Sequence, residues 1–220
     1  MTGWERIFRL SRSNPTHPRN RGPFGKKQPK LFAKTANSAN IRPMRYLVIS
    51  CSLNPESNSR LLARAAFGRL PQDQADWFDL AKLDLPVCDG GEAFAHPEVV
   101  RLREAIEAAS GILIGTPVYN YSVSASAKNL IELTGQAWAG KVAGLLCAAG
   151  GPHGYMGGMP FLNSLMLDFR TFIVPKFVYT QGTAFAEGKI ADEAILQRVH
   201  GLADELVRVT DALHPGPVSL

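Results

Sequence analysis

The stretch Ser50-Cys51-Ser52-Leu53-Asn54-Pro55-Glu56-Ser57-Asn58-Ser59 decides how this chain folds. Before it stands Tyr46-Leu47-Val48-Ile49, a continuous apolar run of the kind found in a strand covered on both faces. After it, Leu61, Leu62, Ala65, Ala66 and Leu70 recur at helical spacing over residues 60–70. A strand therefore empties into a hydroxyl- and amide-rich loop, and the loop runs into a helix. Such a junction aims backbone N–H groups and the positive end of the helix dipole at one spot, where a phosphate is stabilised. The hydroxyls of Ser52, Ser57 and Ser59 and the amide of Asn58 add donors there without a fixed charge. The same residues also serve a plainer purpose, because Ser57 or Asn58 can cap the helix while Pro55 starts a turn. The stretch by itself leaves both readings open.

The chain has 220 residues, 45% of them apolar and 20% charged, an ordinary composition for one globular domain. No apolar run approaches the roughly 20 residues of a membrane-spanning helix, and no membrane partner is expected. The net charge of +5 is unevenly placed. Residues 1–43 hold ten Lys/Arg against the single acid Glu5, a balance of +9, whereas residues 44–220 carry −4. The basicity belongs to the first segment, so nucleic-acid binding is not expected of the domain. That segment has no sustained apolar period and reads as a disordered tail or a mis-assigned start ahead of Met44. Cys51, Cys88 and Cys147 form no CxxC and no metal-ligand spacing with the five histidines, which fits a reducing cytoplasm and no metal.

From Met44 the chain alternates strand and helix. Strands are expected at Asp76–Leu80, Ile112–Ile114, Val142–Ala148 and near Phe177–Tyr179. Helices are expected from Pro97 (Val99, Leu102, Ile106 and Ala109 on one face), over Ser122–Thr134, through Phe161, Leu162, Leu165, Met166 and Phe169, and along Ile195, Val199, Leu202, Leu206, Val209 and Leu213. This alternation implies an α/β fold with a parallel sheet and helices on both faces over residues 44–213, followed by a short tail at 214–220. Ligands of such sheets bind beyond the carboxyl ends of the strands. Three loops leave those ends: Ser50–Ser59, Thr116–Tyr121 and Ala149–Gly158, the last with five glycines between Gly150 and Gly158. The second offers Tyr119, Asn120 and Tyr121 to a flat heteroaromatic ring. The dinucleotide fingerprint G-x-G-x-x-G and the Walker A sequence are both absent, which favours a single phosphate. No nucleophile–base pair appears. His153 stands alone in its loop, and Cys51 at a buried strand end reads as a small hydrophobe, so the chemistry is expected to come from a cofactor.

Three segments carry a resemblance to a known family. Cys51-Ser-Leu-Asn-Pro-Glu-Ser-Asn-Ser-Arg-Leu-Leu62 resembles the G-S-x-R-x-x-S-N-[ST]-x-x-L phosphate loop of the NADPH-dependent FMN reductases, flavodoxin-like proteins that include flavin, quinone, azo-dye and chromate reductases. Thr116-Pro-Val-Tyr-Asn-Tyr-Ser122 with Lys128-Asn-Leu-Ile-Glu132 is similar to their T-P-x-Y-N-x-S … K-N-x-I-D segment, and Gly150–Gly158 stands where their Gly-rich flavin loop stands. The resemblance implies a flavodoxin-like five-stranded parallel sheet of order 2-1-3-4-5. Its cofactors would be FMN and NADPH (or NADH), with hydride passing to flavin N5 and on to a second small-molecule acceptor such as free flavin or a quinone. It also implies a homodimer or homotetramer. By position, Ser52, Asn54, Ser57, Asn58 and Ser59 would hold the phosphate, Pro117, Val118, Tyr119 and Asn120 would line the isoalloxazine, and Gly150, Gly151, His153 and Gly154 would close its other side. Cys51 and Asn54 replace the family's usual Gly and Arg. A flavodoxin-type electron carrier, or an interaction protein of the same fold that has lost flavin, would be the alternatives.

Overall fold

The structure is a computed structural model that describes residues 46–214. The expected tails at 1–43 and beyond His214 lie outside the described residues. β1 (Tyr46–Ser50) is buried along its whole length, and its alternate side chains divide the core in two. Leu47 and Ile49 pack in one layer with Leu102 and Ile106 of α2 (Pro97–Ala108), Leu130 of α3 (Ala125–Thr134) and Leu165 of α4 (Met159–Phe169). Tyr46 and Val48 pack in the other with Leu62 and Ala66 of α1 (Asn58–Arg69) and Val199 and Leu206 of α5 (Glu193–Leu213). A strand apolar on both faces thus becomes the middle of a three-layer sandwich.

In the sheet, β1 lies between β2 (Ala75–Asp79) and β3 (Gly111–Tyr119), and β3 pairs on its far side with β5 (Val142–Ala149), all parallel. Beyond β5 the edge is shared by two short strands, β6 (Phe172–Ile173) and β7 (Val178–Gln181), both parallel to β5. The two-residue β4 (Ser122–Val123) turns back antiparallel on β3. The expected five-stranded, wholly parallel sheet is therefore a seven-stranded one with a single antiparallel hairpin. A separate small ribbon, β8 (Phe185–Ala186) with β9 (Lys189–Ile190), precedes α5.

The largest departure from the sequence reading lies at Thr116–Tyr121. This segment is mostly strand: β3 runs through Tyr119 because β5 offers it partners as far as Ala149. Pro117 is tolerated there because β1 ends opposite Gly115, so no ladder bond is asked of the missing N–H, and the Pro117 carbonyl instead accepts from Ser124 N at 3.1 Å. α3 accordingly begins at Ala125, capped by Ser124, and not at Ser122. The buried stripe of α1 is also shifted, to Ser59, Leu62, Ala63 and Ala66, leaving Leu61 only partly buried. The cause is Gly115, where an added Cβ would stand 2.8 Å from Ala63 Cβ. The bare glycine lets the helix descend onto the sheet. In α4 and α5, Met166 and Leu213 are exposed, and Thr210 is buried in the last turn of α5.

Candidate functional site

The first loop is a compact cage of hydrogen bonds. Ser57 caps α1, its Oγ accepting from Arg60 N at 3.2 Å and lying 3.0 Å from Ser59 Oγ. Helix construction leaves the amides of Asn58 and Ser59 without an intrahelical acceptor. Ser52 Oγ accepts from Asn54 N (3.3 Å), and Asn54 Oδ1 accepts from Glu56 N (3.0 Å), so the Asn54 side chain holds its own turn. Ser52, Ser57 and Ser59 are buried.

The second loop is a two-residue hairpin. Asn120 (φ 50°) and Tyr121 (φ 61°) both occupy the left-handed region, as a type I′ turn requires, and for a tyrosine this conformation costs roughly 1 kcal/mol or more. The third loop holds the turn in place: a Cβ on Gly157 would stand 2.9 Å from both the carbonyl carbon and oxygen of Tyr121. The third loop is itself tied down by the Tyr179 hydroxyl, which donates to the Gly151 carbonyl. Tyr155, in the short helical stretch after that glycine, stacks on Phe177 with ring centres 5.0 Å apart. A line of hydroxyls connects the first two loops. Thr116 Oγ1 lies 3.2 Å from Ser124 Oγ, Ser124 Oγ lies 2.9 Å from Ser126 Oγ, and Ser126 donates to the Cys51 carbonyl.

Two adjoining cavities open where these loops meet. One of about 190 Å³ is lined by Ser52, Asn54, Ser57, Asn58 and Ser59 of the first loop together with Pro117, Val118, Tyr119 and Gly150. The other, of about 290 Å³, is lined by Val118, Asn120, Gly150, Gly151, His153 and Gly154. All thirteen residues singled out from the sequence thus line two hollows that share Val118, Ala149 and Gly150. Tyr121, offered to a ring by the second loop, lines the second cavity, and the structure adds Ala148, Ala149 and Gly182 to the lining. Gly182 follows β7, so a fourth loop also reaches the site. Its sequence signal was a Gly-Thr pair directly after a strand-like run, which passed unread.

The lining suits a nucleotide with a flat ring. No carboxylate lines either cavity, and the end at α1 offers hydroxyls and amide N–H groups to an anion. A Cβ built on Gly150, Gly151 or Gly182 meets nothing within 4 Å, so these bare backbones border open space that a ligand can fill. Tyr119 and Tyr121, 55% and 68% exposed, form an aromatic rim. Cys51 and Cys147 contribute no nucleophile. Both are buried, and burial pushes the Cys147 thiol from 9.0 up to about 12 and Cys51 further still, with Asp79 and then Cys147 adding to the rise. Among the described residues no group of three or more His, Cys, Asp or Glu is placed to hold a metal, and no helix is long and apolar enough to cross a membrane.

Fold and site together define a doubly wound α/β protein with a nucleotide-sized cleft at the carboxyl edge of its sheet. The model of the NADPH-dependent FMN reductase family matches residues 44–184, and the chain belongs to that family of oxidoreductases, whose cofactors are FMN and NAD(P)H. It is 29% identical over 151 residues to the NAD(P)H-dependent FAD/FMN reductase of Geobacillus thermodenitrificans, a match covering 67% of this chain and 82% of that one. It is 30% identical over 176 residues to an NADPH:quinone oxidoreductase of Arabidopsis thaliana, covering 72% of this chain and 88% of the relative. Among solved structures, the flavoenzyme NAD(P)H:(acceptor) oxidoreductase FerB from Paracoccus denitrificans superposes with a TM-score of 0.62 at 25% identity, covering 77% of this chain and 98% of FerB.

Proposed function

We propose that this chain is an FMN-dependent NAD(P)H reductase that delivers electrons to a second small-molecule acceptor such as free flavin or a quinone. The observation that carries the reading is the convergence of the loops on two joined cavities, one suited to an anion and one to a ring. An FMN held there would supply the redox chemistry, taking hydride from NAD(P)H at N5 and passing electrons to the acceptor.

The residues bind and orient. Ser52, Ser57, Ser59 and the Asn58 side chain would surround the phosphate with neutral donors, aided by the α1 amides. Asn54 shapes the turn and lines the cavity. Pro117, Val118, Tyr119 and Asn120 would line one side of the ring. Gly150, Gly151 and Gly154 would face it from the other side without bulk, with His153 beside them. Tyr119 and Tyr121 on the rim leave a surface on which a nicotinamide or an aromatic acceptor can stack. The same reading carries a homodimer or homotetramer. Leu53 and Val87, 63% and 82% exposed, border an apolar hollow of about 470 Å³ beside the first loop, where a second copy would be seated.

The test is an anaerobic absorbance spectrum of the purified protein reconstituted with FMN, before and after NADPH. Bleaching of the flavin bands on NADPH, with recovery when a quinone is added, is the expected result. Failure to bind FMN at micromolar concentration would overturn the proposal. Bound flavin that NADPH cannot reduce would assign the chain to electron carriage instead.

A further inference from the structure

The family's phosphate loop carries an arginine where this chain has Asn54, yet an arginine still lies at the loop. Arg60 Nη1 donates to the carbonyls of Asn54 (2.6 Å) and Pro55 (3.0 Å), and Nη2 donates to the Ser52 carbonyl (2.8 Å). The same guanidinium is gripped by Asp79, with Nε 2.9 Å from Oδ2 and Nη2 3.3 Å from Oδ1. The pair is largely buried, with side-chain exposures of 14% for Arg60 and 4% for Asp79. Asp79 is delivered by the sheet: it is the last residue of β2 and stands in register with Ser50, the last residue of β1. Arg60 does not line the anion cavity.

We infer that Arg60 is the positioning residue of the phosphate loop, and that it acts from behind the loop and not on the phosphate itself. The inference rests on the site reading above. Three carbonyls that accept from Arg60 are carbonyls not presented to an anion, and fixing them fixes the facing direction of the intervening amides. Asp79 neutralises the guanidinium and holds its fork in the plane needed to reach Ser52, Asn54 and Pro55 together. A lysine cannot reproduce this, because its single ammonium lacks the fork geometry. The cradle therefore stays formally neutral, and a buried, paired cation is little screened by salt.

The test compares FMN with riboflavin, which shares the ring and ribityl chain but has no phosphate, by quenching of flavin fluorescence. The proteins are the wild type, Arg60→Met, Arg60→Lys, Asp79→Asn and the double variant Arg60→Met/Asp79→Asn, which leaves no unpaired buried charge. Arg60→Met is expected to weaken FMN about tenfold while riboflavin stays within about threefold, so that selectivity for the phosphate collapses. The double variant should match Arg60→Met in its FMN-to-riboflavin ratio, since Asp79 reaches the phosphate loop through Arg60 and its other bond, accepting from Ala81 N at 3.2 Å, lies outside that loop. Arg60→Lys should fall between wild type and Arg60→Met, and wild-type FMN affinity should vary little with salt. An unchanged FMN-to-riboflavin ratio in a double variant that melts cooperatively would overturn the inference. So would a steep salt dependence of FMN binding in the wild type that Arg60→Met removes, because that would put the cation on the phosphate. A wild type that binds neither flavin would overturn the site reading, and this inference with it. A selective wild type whose variants are all equally selective removes this inference alone.

Discussion

The two ends of the cleft are held in place by opposite means. At the phosphate end, polar groups are added: the Ser57 cap, the Asn54 turn, and Arg60 with five contacts between loop carbonyls and Asp79. At the ring end, atoms are left out: Gly157 lies flat against the Tyr121 backbone, and Gly154 stands where a Cβ would come within 3.2 Å of Val118 and the Tyr179 hydroxyl. An end built from hydrogen bonds gives up its fit in increments, one partner at a time. At Gly157 close approach tolerates no increment, since the smallest side chain already clashes with backbone.

The largest effect that would sharpen this contrast is expected from Gly157→Ala. Its Cβ meets backbone atoms of Tyr121, which cannot swing aside as a side chain can, and overpacking of this kind costs about 1–3 kcal/mol. Thermal denaturation should show that loss, and FMN and riboflavin should weaken together because the ring wall moves. Gly150→Ala is the control: its Cβ meets nothing within 4 Å, so stability should stay within about 0.5 kcal/mol while flavin binding falls. A Gly157→Ala protein as stable and as flavin-competent as wild type would remove close approach as the principle of that end.

The phosphate end responds to Ser57→Ala. The variant loses the cap to Arg60 N, worth about 0.5–2 kcal/mol of stability, and one hydroxyl of the cradle. Its binding defect should be specific to FMN over riboflavin, unlike the equal weakening expected of Gly157→Ala. Equal weakening of both flavins would show that the two ends are not separable.

Much of this difference could be read from the sequence, and the unread part has a common cause. The first loop was legible because its hydroxyls lie within ten residues between a strand and a helix whose periods are strong, so the cap and the cradle are local facts. The Gly-rich loop was legible by composition. The role of Arg60 was not, because its partner is nineteen residues away and becomes a neighbour only through the pairing of β2 with β1. Gly182 was missed for a similar reason: it reaches the site only because β7 lies beside β5. The strand character of Thr116–Tyr119 is not legible locally, because a proline such as Pro117 argues against strand. What overrides it is the end of β1 opposite Gly115, again a matter of strand order. Local chemistry writes loops into sequence, whereas register decides which loops meet.

The smallest of these effects concerns a hydrogen bond that ties down the Gly-rich loop of the otherwise subtractive end. Tyr179 donates its hydroxyl to the Gly151 carbonyl, and its ring lies edge-on to Tyr155, which in turn stacks on Phe177. Tyr179→Phe keeps the ring packing and removes only the donor, leaving the Gly151 carbonyl, in a half-buried position, to find another partner or water. The expected cost is about 0.5–1.5 kcal/mol, read as a small fall in thermal midpoint. Because the loop is otherwise positioned by contacts that the variant preserves, FMN and riboflavin affinities should fall by less than about threefold and in equal measure. A loss as large as that of Gly157→Ala would mean that the ring end also depends on an added polar group, and the division between the two ends would then be one of degree.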